Sequence, residues 1–297
     1  MIEIKNIIFA KPEVNFIKCF LCFINYILPL RMKFASESYV AFCDNQEESL
    51  ITLEKDSKSY TRFKITKLIL EENSTSIARE LSNYVITKYR AQGANSFYIV
   101  VDERQIELLN IFKNELNFRE CAIEYLYKVS NLSNNYIKIL KPLKNNIKKE
   151  VTKFYNDNIN SFNRPLFNRC EYQFLNNNCM NFYFDKDNEI LGYFEVSTKN
   201  NVDFYINFVI DFAYNVYLMD AVKHIYAKLK QKYKKFNLFI KVKDYFINSK
   251  ELNAILKENN IEPVSKSKIL AKDYYKEIKN DLLFKSAKII FVDPTTA

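Results

Sequence analysis

The chain has 297 residues, 48% hydrophobic and 27% charged, a globular balance that excludes a disordered or low-complexity protein and predicts two domains or one large one. A net charge of +9 favours anionic partners without choosing among nucleotides, coenzyme phosphates, nucleic acid and anionic lipid. Glycine is nearly absent, at Gly93 and Gly192 only, which weakens every motif that depends on it.

From the N-terminus, "FIKCFLCFINYIL" lies in the one candidate membrane segment, Asn15 to Leu30. It is short for a span and carries Lys18 and Asn25, so the reading is a buried helix ended by Pro29. Glu3 and Glu13 ahead of it make a poor start for a signal peptide, and a cytoplasmic protein with no integral membrane segment is expected. Six cysteines, Cys19, Cys22, Cys43, Cys121, Cys170 and Cys179, read as scattered thiols of a reducing compartment. Cys19 and Cys22 form a C-x-x-C. No second pair stands at ligand spacing and the only histidine, His224, is far along the chain, so no metal site is expected.

In the first half, "SYVAFCD" and "SLITLEKD" read as strands around the turn-like "NQEE", and "RFKITKLILEE" as a longer strand. "STSIARELSNYVITKYRAQG" follows as a helix, with Ile77, Leu81, Val85 and Tyr89 as one apolar stripe. Ser74 or Thr75 can cap its start, and Gly93 sits where a left-handed C-terminal cap belongs. "SFYIVVD" is a strand, "ERQIELLNIFKNEL" a helix, "NF" a turn and "AIEYLYKV" a last strand.

The second half repeats the order. "PLKNNIKKEVTKFYNDNI" reads as a helix, "NFYFDKD" and "EILGYFEVST" as strands, and "VDFYINFVID" as another. "NVYLMDAVKHIYAKLKQKYKK" is a helix with the stripe Leu218, Val222, Ile225 and Leu229. "FNLFIKVKDY" is a strand, "SKELNAILKEN" a helix, "NI" a turn and "SKILAKDYY" a last strand. Each final helix ends at an Asn followed by an apolar residue, Asn117-Phe118 and Asn260-Ile261, which suits a left-handed cap. The polar link Ser130 to Asn135 places the boundary between copies. The run "KLKQKYKKF", Lys228 to Phe236, reads first as a solvated helix end and second as a nucleic-acid face.

This twice-repeated order resembles the GNAT acyltransferase fold, in which a strand leads into a helix whose start binds the pyrophosphate of acetyl-CoA. A strand, a helix, a "GF" pair and a final strand then follow. "ELNFRECAIEYLYKV" is similar to that ending, with Asn117 in place of the glycine, and "EILGYFEVS" to the family's "GY/GF" strand. The resemblance covers residues 36–129 and 138–276 and is nearest to tandem GNAT proteins of the cyanobacterial or plastid type. It implies an α/β (α+β) class with two tandem GNAT-like domains, each a mixed, mostly antiparallel sheet flanked by helices. These are 1–133 with an acyl-CoA site and 134–297 in degenerate form.

The family's phosphate loop reads Q/R-x-x-G-x-G/A. Laid on the first half and entered from Leu70, it falls on Asn73, Ser74, Thr75, Ser76, Ile77 and Ala78, with Ser76 in place of the first glycine. A helix start offers unpaired backbone N–H groups and partial positive charge, and small side chains let a diphosphate approach. The dipole alone is worth about 0.3–1 kcal/mol, so several N–H bonds must add to it. In the second half the loop falls in "DFAYNVYLMDA", where Tyr214, Val216, Tyr217 and Leu218 are bulky.

The resemblance also implies a Glu or a water as base and a Tyr near the last helix as acid. That Tyr position falls near Phe112 or Lys113 in the first half and near Leu256 in the second. Glu71 and Glu72 read first as solvated strand-end acids, with Glu72 the candidate base. Tyr125 and Tyr127 read first as core and rim aromatics, with Tyr125 the candidate acid. His224 is placed on the polar side of its helix without a catalytic role. The implied donor is acetyl-CoA, with no metal, and the acceptor an unknown amine. Two alternatives stay open: a catalytically inactive GNAT-like binding or scaffold protein, and a basic protein binding nucleic acid through Lys228–Lys243.

Overall fold

The computed structural model describes residues 2–7, 36–43, 46–55, 61–70, 75–130, 132, 136–169, 179–198, 200–274, 276–277 and 290–291. The expected helix over Asn15–Leu30, with Cys19 and Cys22, lies outside them, as do Cys170 and residues 131 and 133–135 of the expected link. Two compact units divide the chain: Met1–Glu120 with Ile269–Thr295, and Cys121–Lys268 with Thr296–Ala297. They do not follow the repeat boundary at 133/134, because the end of each sequence copy is assigned to the other copy's unit.

The first unit opens with β1 (Ile2–Ile7), a strand the sequence reading passed over. It pairs antiparallel with β2 (Ser36–Cys43), β2 with β3 (Gln46–Lys55), and β3 with β4 (Arg62–Leu70). Gln46, Glu47 and Glu48, read as a turn, are taken into β3. Helix α1 (Thr75–Ala91) carries the chain to β5 (Ser96–Asp102), parallel to β4. A short α2 (Ile106–Asn110) then runs into a π-helical turn, Ile111–Glu115, where one continuous helix was expected.

Helix α1 buries Ala78, Leu81, Ser82, Val85, Ile86 and Tyr89, one side of a 3.6-residue period. Against it lie alternate residues of the strands, among them Tyr39, Ile51, Leu53, Ile65, Phe97 and Ile99. Full burial of a side chain of this size contributes about 1.5–3 kcal/mol. Leu270 joins the same core from the far end of the chain. Around it, Tyr274 N donates to Asn95 O at 2.7 Å. Asp273 accepts from Ser96 Oγ at 2.7 Å and Arg119 Nη2 at 2.8 Å.

The second unit receives β6 (Arg119–Val129) from Cys121 onward. After β7 (Lys141–Pro142) come a 3-10 turn (Asn145–Ile147), α3 (Lys148–Asp157) and α4 (Arg164–Phe167). Strands β8 (Cys179–Lys186), β9 (Glu189–Thr198) and β10 (Asp203–Ile210) form an antiparallel meander. A 3-10 helix, Phe212–Tyr217, precedes α5 (Leu218–Lys232). Then follow β11 (Asn237–Lys243), α6 (Ser249–Glu258) and β12 (Pro263–Asp273). Within the unit the order is β6-β11-β10-β9-β8-β7, antiparallel except for β10 beside β11. The Ile269–Asp273 end of β12 belongs to the first unit, where the strand neighbours β5.

The paired asparagines cap their helices as the repeat predicted. Asn117 has φ 56 and Asn260 φ 58. The apolar residue folds back each time, with Phe118 N donating to Phe112 O at 2.7 Å and Ile261 N to Leu256 O at 3.0 Å. The α5 stripe Leu218, Val222, Ile225 and Leu229 is buried. One expectation is corrected: His224 lies on the buried side of α5, 1% exposed and stacked on Tyr136 at 5.2 Å. Position 224 falls about one helical turn after the buried Ala221 and beside the buried Ile225, so the helix period carries it inward.

Candidate functional site

A strand-to-helix corner occurs in each unit, from β4 to α1 and from β10 to α5. In both, the parallel strand pair beside it parts before its end. β4 and β5 pair from Arg62↔Ser96 to Ile65↔Ile99, yet β4 runs on to Leu70 and β5 to Asp102. β10 and β11 pair from Asp203↔Asn237 to Asn207↔Lys241, yet run on to Ile210 and Lys243.

At the first corner, Glu71, Glu72, Asn73 and Ser74 lie outside the described residues, as does the side chain of Leu70, whose backbone ends β4. Thr75 opens α1 and Ser76 is exposed. Ile77 packs on the first unit's core at its margin, and Ala78 is fully buried. Ala78 therefore turns its methyl inward, and Ser76 is the loop residue whose side chain faces outward. No acidic side chain occupies the first turn of α1. The positive end of this 17-residue helix is then not offset by an acid within the turn. Two apolar side chains that sequence reading missed border the parting strands, Ile69 at 40% and Ile106 at 74% exposed. Exposed isoleucines carry no sequence signal that marks them. Asp102, which ends β5, takes a two-pronged bond from Arg104, with Nε at 2.8 Å and Nη2 at 2.6 Å. Those bonds hold its carboxyl below the usual carboxylate range.

These residues fit the phosphate and thiol arm of an acyl-coenzyme. Thr75, Ser76 and the α1 N–H groups suit a diphosphate, and the parted β4–β5 edge offers backbone groups to an amide-bearing arm. Glu72 is undescribed. Tyr125 belongs to the second unit, half-buried against that unit's core and opposite Val242. Tyr127 is a core residue as read: its hydroxyl donates to Asn253 Oδ1 at 2.6 Å, and burial pushes it up to about 12. Of the two residues read near the family's tyrosine position, Phe112 is buried against Phe118 at 5.0 Å and Lys113 pairs with Glu120 at 2.9 Å.

The second corner is filled by its own side chains. Asp211 Oδ1 accepts from Ala213 N at 2.9 Å and starts the 3-10 helix. Tyr214 and Tyr217 stack at 6.3 Å and meet Phe184 at 6.5 Å and 6.3 Å. Phe184 has room because Gly192 lies beneath it: a Cβ there would stand 2.0 Å from Phe184 Cε1. Across the mouth, Asn248 Nδ2 donates to Ile210 O at 2.6 Å and Asn215 Oδ1 at 2.8 Å, tying the end of β10 to the start of α6.

Elsewhere, Lys228, Lys230, Lys232, Lys234 and Lys235 are exposed, whereas Lys241 and Lys243 are half-buried and face Glu124. Lys228–Lys243 is thus not one continuous basic face. Among the described residues no group of three or more His, Cys, Asp or Glu side chains is placed to hold a metal ion. No described helix is long and apolar enough to cross a membrane.

No family model and no curated protein matches the sequence. Solved structures do match. A GCN5-related N-acetyltransferase from Sphaerobacter thermophilus aligns with TM-score 0.58 at 7% identity, covering 84% of this chain and 85% of its own. A tandem GNAT protein from the clavulanic acid biosynthesis pathway aligns with TM-score 0.55 at 9% identity, covering 92% and 98%. A putative acetyltransferase from Pyrococcus horikoshii aligns with TM-score 0.56 at 11% identity, covering 92% and 89%. At such identities the likeness speaks to the fold, and not to a cyanobacterial or plastid type. With the mixed, mostly antiparallel sheets, the parted parallel pairs and the strand-to-helix corners, the fold of this chain is that of the GNAT acetyltransferases.

Proposed function

We propose that the protein is an acyl-CoA-dependent N-acyltransferase that takes acetyl-CoA at the β4–α1 corner and transfers the acetyl group to an amine. The observation that carries this reading is the make-up of that corner: beside the parted β4–β5 pair, the start of α1 has small side chains and no acid in its first turn. In this reading the sequence repeat consists of domains 1–133 and 134–297, the first holding the coenzyme and the second not. Leu70, Asn73, Ser74, Thr75, Ser76, Ile77 and Ala78 form the coenzyme's cradle. The amine nitrogen attacks the thioester carbonyl carbon, the C–S bond breaks, and the thiolate leaves. Glu72, or a water it orients, takes the amine proton, and Tyr125 is the candidate donor to the thiolate. A cytoplasmic location is part of the same proposal.

A second reading, a GNAT-like binding protein without turnover, is favoured by Phe112, which puts no hydroxyl where the family has one. Calorimetry with acetyl-CoA tests both. The first reading expects one coenzyme per chain, lost in Ser76→Trp, with free thiol released once an accepted amine is added. Binding without thiol release across an amine panel selects the second. No binding at millimolar coenzyme removes the corner as a site.

A further inference from the structure

The sheet of the second unit has an apolar face against α5 and α6 and a charged face on the side of α3 and α4. Among the described residues, the charged face carries three cations, Arg169, Lys241 and Lys243, and two carboxylates, Glu124 and Glu195. Arg169 Nη1 donates to Glu195 Oε2 at 2.5 Å and its guanidinium lies 4.6 Å from the Tyr155 ring centroid. Lys241 Nζ is 2.8 Å from Glu124 Oε1. That leaves Lys243. Its side chain is 14% exposed, and its Nζ is 4.0 Å from Glu124 Oε2 and 5.7 Å from the Tyr245 ring centroid. Among the described residues its three N–H donors reach no acceptor at hydrogen-bond distance. A covered ammonium in that state is costly, and the described side chains of this cluster, with one positive charge in excess, suit one added negative charge. Burial accordingly pushes Lys243 down to about 8.

The chemistry of the missing charge follows from the neighbours. Glu124 and Glu195 repel a second negative charge, which favours a monoanion over a phosphate dianion. Aromatic rings stand beside the ammonium: Tyr245 stacks on Phe167 at 4.1 Å and packs on Phe246 at 4.6 Å. They suit a ligand with an apolar body behind its charged group. We propose that the charged face of the second unit's sheet is a binding site for a small-molecule carboxylate, with the Lys243 ammonium as its head. The proposal does not depend on the acyl-coenzyme reading of the first unit.

Nuclear magnetic resonance of protein carrying lysine labelled at Cε with carbon-13 reads the site directly. Sodium acetate is titrated against sodium chloride at matched ionic strength, with inorganic phosphate as the dianion. The expected result is one lysine resonance that moves saturably with acetate, is missing in Lys243→Met and Lys243→Arg, and titrates at higher pH when acetate is bound. Acetate affinity falls about tenfold or more in Lys243→Met. Lys243→Arg keeps the charge and retains acetate binding by calorimetry, which holds the test open if the methionine variant does not fold. A response that chloride reproduces, or phosphate binding as tight as acetate, overturns the proposal. So does acetate binding unchanged in Lys243→Met.

Discussion

The two strand-to-helix corners share a topology and differ in what fills them. At the first, Ala78 turns its methyl into the core, Ser76 faces out, and no acid lies in the first turn of α1. At the second, Tyr214 and Tyr217 close over Phe184, and Asn248 bridges from Ile210 to Asn215. Glycine does not decide between them. The open corner has none among residues 70–78, while Gly192 serves the closed one by giving Phe184 its place. In a chain with two glycines, side-chain size and direction make the difference between the two corners.

The largest expected effect uses the exchanged strand. Leu270 comes from the end of the chain yet lies fully buried in the first unit's core. Leu270→Ala is expected to cost the first unit about 2–5 kcal/mol in denaturant unfolding and to weaken coenzyme binding with it. If the second unit's transition moves instead, the two-unit division is wrong. Next comes the closed corner. Asn248→Ala removes the donor from Ile210 O and Asn215 Oδ1 in a buried position, and should cost the second unit about 1–3 kcal/mol. Coenzyme binding should not appear there, because the tyrosines remain. Gly192→Ala presses a methyl into the Phe184 ring and should cost about 1–3 kcal/mol in the same unit. A neutral result would mean that Phe184 moves freely and that the closure is loose.

Much of this architecture was legible before any coordinates. The helix stripes, the strand order and the left-handed asparagines at 117 and 260 follow from local rules: a 3.6-residue period, alternation, and a tolerance for positive φ. What local rules miss is non-local. No periodicity tells that Leu270 packs with Phe97 rather than with its sequence neighbours, or that the copies exchange their last strands. β1 escaped because the alternation of Ile2, Glu3, Ile4 and Lys5 ends at Asn6, after four residues. His224 was turned outward by its lysine neighbours, although Ile225 beside it marked the buried side. For the site, the bulky second corner could be read from "AYNVYL", whereas the Asn248 bridge joins residues too far apart in sequence to be seen.

Ser76→Trp sharpens the comparison from the open side. Because Ser76 is exposed, the indole should change stability by no more than about 0.5 kcal/mol. Acetyl-CoA binding by calorimetry should vanish nonetheless. The same substitution at Ala78 would answer nothing, since that methyl is fully buried and a large ring there damages the core. Retained binding in Ser76→Trp would put the coenzyme elsewhere and remove the functional contrast between the corners.

The smallest effect separates the units by pH. The only histidine of the chain lies in the second unit, and burial, with Lys228 and Lys138 nearby, lowers its pKa below the ordinary 6.5. The folded unit therefore holds His224 neutral while the unfolded chain takes up a proton first. Its contribution is fully present above pH 6.5 and is lost as the pH falls below 6.5 towards the lower folded value. Lys243 titrates in another window, between its unfolded value of 10.5 and about 8, and leaves the acid side to the histidine. Denaturant unfolding between pH 7 and 5 should thus show the second unit weakening while the first holds. His224→Gln should flatten that slope. If both units weaken together, or the variant keeps the slope, the histidine is not the group that the unfolded chain protonates, and its burial beside Tyr136 is looser than the stacked geometry indicates.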